Sequence, residues 1–129
     1  MQLEPLPFAK LMGVSVVSVT PDLVIGELKV TDDLCTRPAV LHGGAYMAFA
    51  DTIGAVATVA NLKEGEGTTT IESKTNFFAA IPLGDTARAE CTALHKGRTT
   101  MVWQTKIMRG DGKLAAIVTQ TQMVLKART

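Results

Sequence analysis

The sequence predicts an α+β domain in which a single antiparallel sheet is wrapped around one long central helix. Three observations carry this. The stretch Leu41 to Leu62 is almost free of polar side chains, and no Lys or Arg occurs between Arg37 and Lys63. Segments rich in β-branched residues lie on both sides of it, two before and three or four after. No repeat or linker interrupts this order, and 129 residues suffice for one domain with a real core but not for two, so residues 1–129 are expected to form a single domain.

Taken in order, Pro5 to Met12 reads as a short helix that lids one end of the core, with proline near its start and Gly13 placed to end it. Val14 to Thr20 and Leu23 to Val30 read as antiparallel strands around the turn Thr20-Pro21-Asp22. Thr31 to Pro38 is polar and aperiodic, hence a loop leading into the central helix. That helix, Gly43 to Leu62, has small or apolar residues on every side, the pattern of a helix enclosed by other structure. At ~1.5 Å per residue it would be about 30 Å long, enough to cross a bilayer. A carboxylate near its middle, Asp51, would cost ~2.5 to 3.5 kcal/mol there while alanines return little, so a membrane span is rejected.

Beyond the solvated loop Lys63-Glu64-Gly65-Glu66-Gly67 the chain reads as strands. Thr68 to Phe78 is β-prone until Pro82 and Gly84 close it off. Thr86 to Lys96 alternates, with Ala87, Ala89, Cys91 and Ala93 forming a small face suited to close contact with a helix. Cys91 and His95 fall on one face ~13 Å apart at ~3.3 Å per residue, so no Cys-His nucleophile pair follows. Turns at Lys96-Gly97-Arg98 and Gly110-Asp111-Gly112 flank a strand from Thr99 to Met108, and Leu114 to Leu125 makes the last strand. Met101, Trp103, Met108 and Met123 are expected in the core.

The net charge of +1, from 13 basic and 12 acidic residues, excludes a general field for nucleic acid or an anionic membrane, so any anion site is local. Cys35 and Cys91 lack metal-type spacing, and Met1 to Thr20 lacks the basic start and apolar run of a signal peptide, which points to a reduced, cytoplasmic compartment. Two separated histidines and the lack of a Gly-rich nucleotide loop lead us to expect no metal and no bound cofactor.

Leu41-His42-Gly43-Gly44, with Asp51 nine residues after the histidine and Gly54 beyond it, resembles the hotdog-fold acyl-CoA thioesterases. Within them, the sequence is similar to the phenylacetate-pathway and 4-hydroxybenzoyl-CoA thioesterase group. Asn76-Phe77-Phe78 and His95-Lys96-Gly97-Arg98-Thr99-Thr100 also look like that family's pattern, and the resemblance covers nearly the whole chain. It implies a hotdog fold and hydrolysis of an acyl-CoA to free acid and coenzyme A, the latter entering only as part of the substrate. Similar enzymes carry Gln or Asn six residues before the histidine, as an extra contact to the thioester oxygen, where this sequence has Thr36. They also place a hydroxyl that positions water or substrate where Thr70 stands, although a strand threonine is otherwise unremarkable.

The chemistry needs little. A thiolate with a conjugate-acid pKa of about 8.5 leaves without a strong general acid, so one carboxylate and one oxyanion hole suffice. The backbone N–H of Gly43, helped by Gly44, lies in a first helical turn with unpaired donors and a positive dipole end. The competing reading is that both glycines only permit tight packing. His42 either orients the loop, donates to the carbonyl oxygen, or caps the helix. Asp51 is either a nucleophile forming an anhydride or the general base on water, and no Lys or Arg lies near it in sequence to make it a structural ion pair. His95, Lys96, Gly97 and Arg98 would meet the phosphates of coenzyme A, unless the turn is merely solvated. The same fold also serves hydratases or dehydratases and non-catalytic acyl-CoA binding modules. The missing His-Phe-Pro sequence argues against the first, and Asp51 in the catalytic register against the second.

Gly43 and Asp51 are eight residues apart, ~12 Å along one helix, too far for one carbonyl to meet both. The site is therefore expected to be shared by two antiparallel helices across the two-fold axis of a homodimer. Assembly of dimers to a homotetramer is a separate expectation that this spacing does not address.

Overall fold

The computed structural model describes residues 6–126. In chain order these form helix α1 (Pro7–Met12), strands β1 (Val14–Val19), β2 (Leu23–Lys29), β3 (Cys35–Thr36) and β4 (Val40–Leu41), helix α2 (Gly43–Val59), and strands β5 (Gly67–Phe77), β6 (Thr86–Lys96), β7 (Thr100–Met108) and β8 (Leu114–Leu125). The expected start of the first helix at Pro5 lies outside the described residues. Its other end is as expected: Gly13 takes φ 87° and its N–H donates to the carbonyls of Ala9 and Lys10, a conformation that suits glycine. Ala9 and Met12 are the buried face of this lid.

Six strands make one antiparallel sheet in the order β1-β2-β6-β7-β8-β5, and α2 lies across it in contact with every strand. This is the hotdog arrangement. The sheet admits the helix because its facing side chains are small where the helix passes. Ala87, Ala89 and Cys91 are fully buried, and at Gly26 an added Cβ would lie 2.4 Å from Cδ1 of Ile53. Phe49 and Ile53 of α2 then fill the space against Val24, Leu28, Trp103 and Ile107. Among the described residues no helix is long and apolar enough to cross a membrane.

Four features differ from the expectation. The helix ends at Val59 rather than Leu62, where the Asn61 amide turns back to donate to the carbonyls of Ala57 and Pro21. It is also not enclosed on every side. Met47, Ala48, Asp51, Thr52, Ala55 and Val59 form a stripe that the sheet leaves partly open, and alanine and threonine do not distinguish a buried face from a lightly covered one. The loop from Thr31 to Pro38 contains a 3-10 turn at Asp32–Leu34, followed by a two-rung ladder pairing Cys35 with Leu41 and Thr36 with Val40. Strands this short leave no period to read.

The fourth difference is parity. The ladders shift by one residue between Val16 and Ser18 on β1, between Thr70 and Glu72 on β5, and between Ala93 and His95 on β6. On β6, Cys91 and Ala93 oppose Thr105 and Trp103 on the inner face, whereas His95 opposes Val102 on the outer one. Cys91 and His95 thus do not share a face, because the extra residue, Leu94, reverses the alternation. Met123 is likewise not core. It is 39% exposed, while Met101 and Trp103 are buried and Met108 is half-buried.

Candidate active site

His42 is the N-cap of α2. Its backbone is extended (φ −64°, ψ 139°) and its Nδ1 accepts the N–H of Gly44 at 2.8 Å, which removes one of the four unpaired donors of the first turn. An accepting Nδ1 carries no proton, so the hydrogen-bond geometry assigns the neutral ring's proton to Nε2. The ring folds tightly over the helix at Gly44, where a Cβ would sit 3.0 Å from Nδ1. The N–H of Gly44 is therefore engaged in the cap. The N–H of Gly43 has no partner among the described residues, which leaves it as the free donor at the positive end of the helix.

Asp51 is partly exposed on the open stripe two turns further on. Its Oδ1 accepts from the Thr70 hydroxyl at 2.6 Å and from Nε2 of Gln120 at 3.4 Å, and its Oδ2 has no partner among the described residues. No cation among them pairs with it. Behind Thr70 the donors line up. The Thr68 hydroxyl lies 2.9 Å from both Oε1 of Gln122 and the Met123 carbonyl, with one proton for the two, Nε2 of Gln122 donates to Thr70 Oγ1 at 2.6 Å, and Thr70 donates to the carboxylate. The bonds from Gln122 and Thr70 both point their protons toward Asp51, an arrangement in which successive bonds polarise one another. Thr68 and Thr70 face inward, opposite Val124 and Gln122, and beyond the ladder shift Glu72 faces out, opposite Thr121.

Gln120 and Gln122 were not foreseen. Both are fully buried on the inner face of β8, and the run Thr119-Gln120-Thr121-Gln122 carries no hydrophobic period. Their one advance signal is Gly54, a glycine inside a helix three residues after the acid.

A cavity of about 430 Å3 opens beside His42 and Gly44, walled by Phe8, Leu11, Met12, Leu34, Ala45 and Ala48. Thr36 does not line it. It borders a separate surface hollow with Asp32, Arg37 and Ala39. The basic hairpin is elsewhere again, at the carboxyl end of α2, where Lys96, Gly97 and Arg98 share a recess of about 280 Å3 with Lys63 and Lys126. Lys96 is already engaged, donating to the Pro21 carbonyl at 2.7 Å and to Asp22 at 2.8 Å, so it ties the hairpin to the β1–β2 turn. The His95 ring lies against Gly97, 2.6 Å from where a Cβ would be. Cys91 is inert as a nucleophile, since burial pushes its thiol up to about 11.

The sequence profile of the Thioesterase superfamily matches residues 39–116, more than half of the chain. The 1,4-dihydroxy-2-naphthoyl-CoA hydrolase of Listeria monocytogenes is 30% identical over 118 residues, which is 91% of this chain and 94% of that protein. A proofreading thioesterase of Cronobacter turicensis is 26% identical over 102 residues, 79% of this chain and 74% of that one. The crystal structure of a Haemophilus influenzae thioesterase is similar with a TM-score of 0.89 at 25% identity, covering 95% of this chain and 85% of that one. With the profile spanning the helix cap, Asp51 and Thr70, this chain belongs to the thioesterase superfamily and is a thioester hydrolase on the hotdog fold.

Proposed function

We propose that the protein hydrolyses acyl-CoA thioesters to free acid and coenzyme A, with Asp51 as nucleophile or general base, the Gly43 N–H as oxyanion donor, and a second copy of the chain completing each site. One observation carries this reading. The Gly43 N–H and Asp51 Oδ2 both lack partners among the described residues, yet they stand eight residues apart, ~12 Å along one helix. A reacting carbonyl must lie ~3 Å from its donor and ~3 to 3.5 Å from its attacker, so two antiparallel helices are needed to bring both groups to it.

Several features support pairing of two copies. β5 is an edge strand of eleven residues with Ile71 and Phe77 exposed on it and Phe78 exposed just beyond, which is what an unpaired edge offers to a like edge. Thr70, the partner of Asp51, belongs to that strand. The open stripe of α2 supplies small side chains for close helix approach. Antiparallel pairing would also bring the basic recess of one copy, ~25 Å along α2 from its own Gly43, toward the Gly43 of the other. Arg98 would then serve the nucleotide phosphates of coenzyme A, and the cavity beside His42 would take the acyl group.

In this reading the carbonyl oxygen gathers negative charge on attack and is met by the Gly43 N–H, while Nε2–H of His42 is available as a second donor. Asp51 Oδ2 either attacks the carbonyl carbon itself, giving an anhydride that water then opens, or takes a proton from the attacking water. Either way the C–S bond breaks and the thiolate leaves with the electron pair.

Mixed dimers test it. Proline at 43 deletes the donor at a first-turn position that tolerates it, and the extended backbone of His42 is the conformation a residue before proline takes. Gly43→Pro and Asp51→Asn homodimers are each expected to be nearly inactive. Refolded together at equal ratio, about half the dimers are mixed with one intact site each, so turnover returns to roughly a quarter of wild type. No recovery in confirmed mixed dimers would show that both groups act within one chain.

A further inference from the structure

The geometry points to Gln120 as a positioning residue that holds the carboxylate of Asp51 by Oδ1 and so leaves Oδ2 as the reacting oxygen. This rests on the reading of Asp51 as the reacting acid, and it adds a residue from a strand on which the sequence marks no site.

Position 120 is a core position. Its inner-face neighbours along β8 include Ala116, Val118 and Val124, and an aliphatic side chain would satisfy packing alone. Glutamine there is disadvantageous in itself, because its Oε1 is buried and has no hydrogen-bond partner among the described residues. The amide cannot be turned to cure this, since the swapped orientation would set Oε1 against a carboxylate oxygen. What the glutamine gains is one contact, Nε2 to Asp51 Oδ1 at 3.4 Å. Donors to catalytic groups are often this long before substrate binds and tighten afterward.

A second element yields space to the same contact. At Gly54 an added Cβ would lie 2.3 Å from Cδ of Gln120 and 2.4 Å from both its Nε2 and its Oε1. A helix interior disfavours glycine, and here its lack of a side chain lets the amide pass under α2 to the acid three residues earlier. Thr70 grips the same oxygen from β5 at 2.6 Å. Two donors from two strands thus converge on Oδ1, and rotation of the carboxylate is arrested with Oδ2 free. Fixing an attacking group in this way is worth a large rate factor, since small misplacement costs up to ~100-fold.

Gln120→Met keeps length and volume but removes the donor. It is expected to lower kcat ~10- to 100-fold with KM within about two-fold, while the melting temperature stays level or rises because an unpartnered polar atom is gone. On the Asp51→Asn background the same change should alter the residual turnover by less than about two-fold, since a residue that acts through Asp51 has nothing left to act on. An unchanged kcat in Gln120→Met, or an equal loss on both backgrounds, overturns the proposal. Full turnover in Asp51→Asn alone would instead remove the catalytic reading of Asp51, and this proposal with it. A second pair guards against misfolding. Gly54→Ala should displace the amide and lower both stability and kcat, and adding Gln120→Ala should relieve the overlap and restore the melting temperature without restoring kcat. Recovery of both together would mean that Gln120 only packs.

Discussion

Two polar networks join α2 to the sheet, one buried and one partly open, and they are finished differently. Toward the carboxyl end, Nε1 of Trp103 donates to the Thr58 hydroxyl at 2.8 Å and Thr58 donates to the Gly54 carbonyl at 2.8 Å. Every proton in that chain has an acceptor and it terminates on backbone. Toward the middle of the helix, donors from Gln122, Thr70 and Gln120 run toward Asp51 and stop there, with Oδ2 and the Gln120 Oε1 unpartnered among the described residues. The first network has the form of a structural fixture. The second is left open at both ends: Asp51 Oδ2 faces the uncovered stripe of α2, and the Gln120 Oε1 is buried without a partner, which is costly for a polar atom in a packed interior.

The comparison breaks most visibly at Asp51. Asp51→Asn conserves volume and is expected to reduce thioesterase turnover at least ~100-fold with little change in melting temperature; near-normal turnover would make the open network merely an unfinished closed one. Thr58→Val should do the reverse. It strands the buried Trp103 N–H and is expected to lower unfolding free energy by ~1 to 3 kcal/mol in urea titrations, with kcat per folded molecule unchanged. A loss of kcat there would show that the two networks are coupled through Gly54, which they share. The smallest effect lies outside both. Arg98→Ala should raise KM for an acyl-CoA several-fold while leaving KM for an acyl-pantetheine and the melting temperature alone. The double variant that adds Lys96→Ala also releases the β1–β2 turn held through Asp22 and Pro21. Equal effects on the two substrates would show that the hairpin does not meet phosphate.

The closed network was readable in part, since Trp103 sits in an alternating strand and a long apolar helix must pack on something. The open one was readable only at its ends. Asp51 stands out as the one carboxylate in a long apolar stretch, and the His42-Gly43-Gly44 cap announces a helix start. What lay between was hidden because polar residues facing a core imitate polar residues facing water. Thr68, Thr70, Gln120 and Gln122 fit a solvent-facing alternation equally well. Parity was hidden for a related reason. A single extra residue in a strand shifts facing without changing composition, so plain alternation puts His95 on the wrong face of β6. The open side of α2 was missed because enclosure was inferred from alanine and glycine, which pack against protein and tolerate exposure alike.

Those ladder shifts also bear on solubility. β1 and β5 are the two outer strands of the sheet, and both carry an extra residue, Val17 on one and Ile71 on the other, each more than half exposed. A straight, exposed, apolar edge is a template for unlimited strand addition, and a bulge twists it away from a flat partner. On β5 the pairs on either side of Ile71, Thr70 with Gln122 and Glu72 with Thr121, would survive its deletion with every side chain still facing as before. The fold can therefore dispense with Ile71 for register. The residue earns its place as an irregularity, one that limits how far the sheet can grow while its own edge stays available to a partner of matching shape.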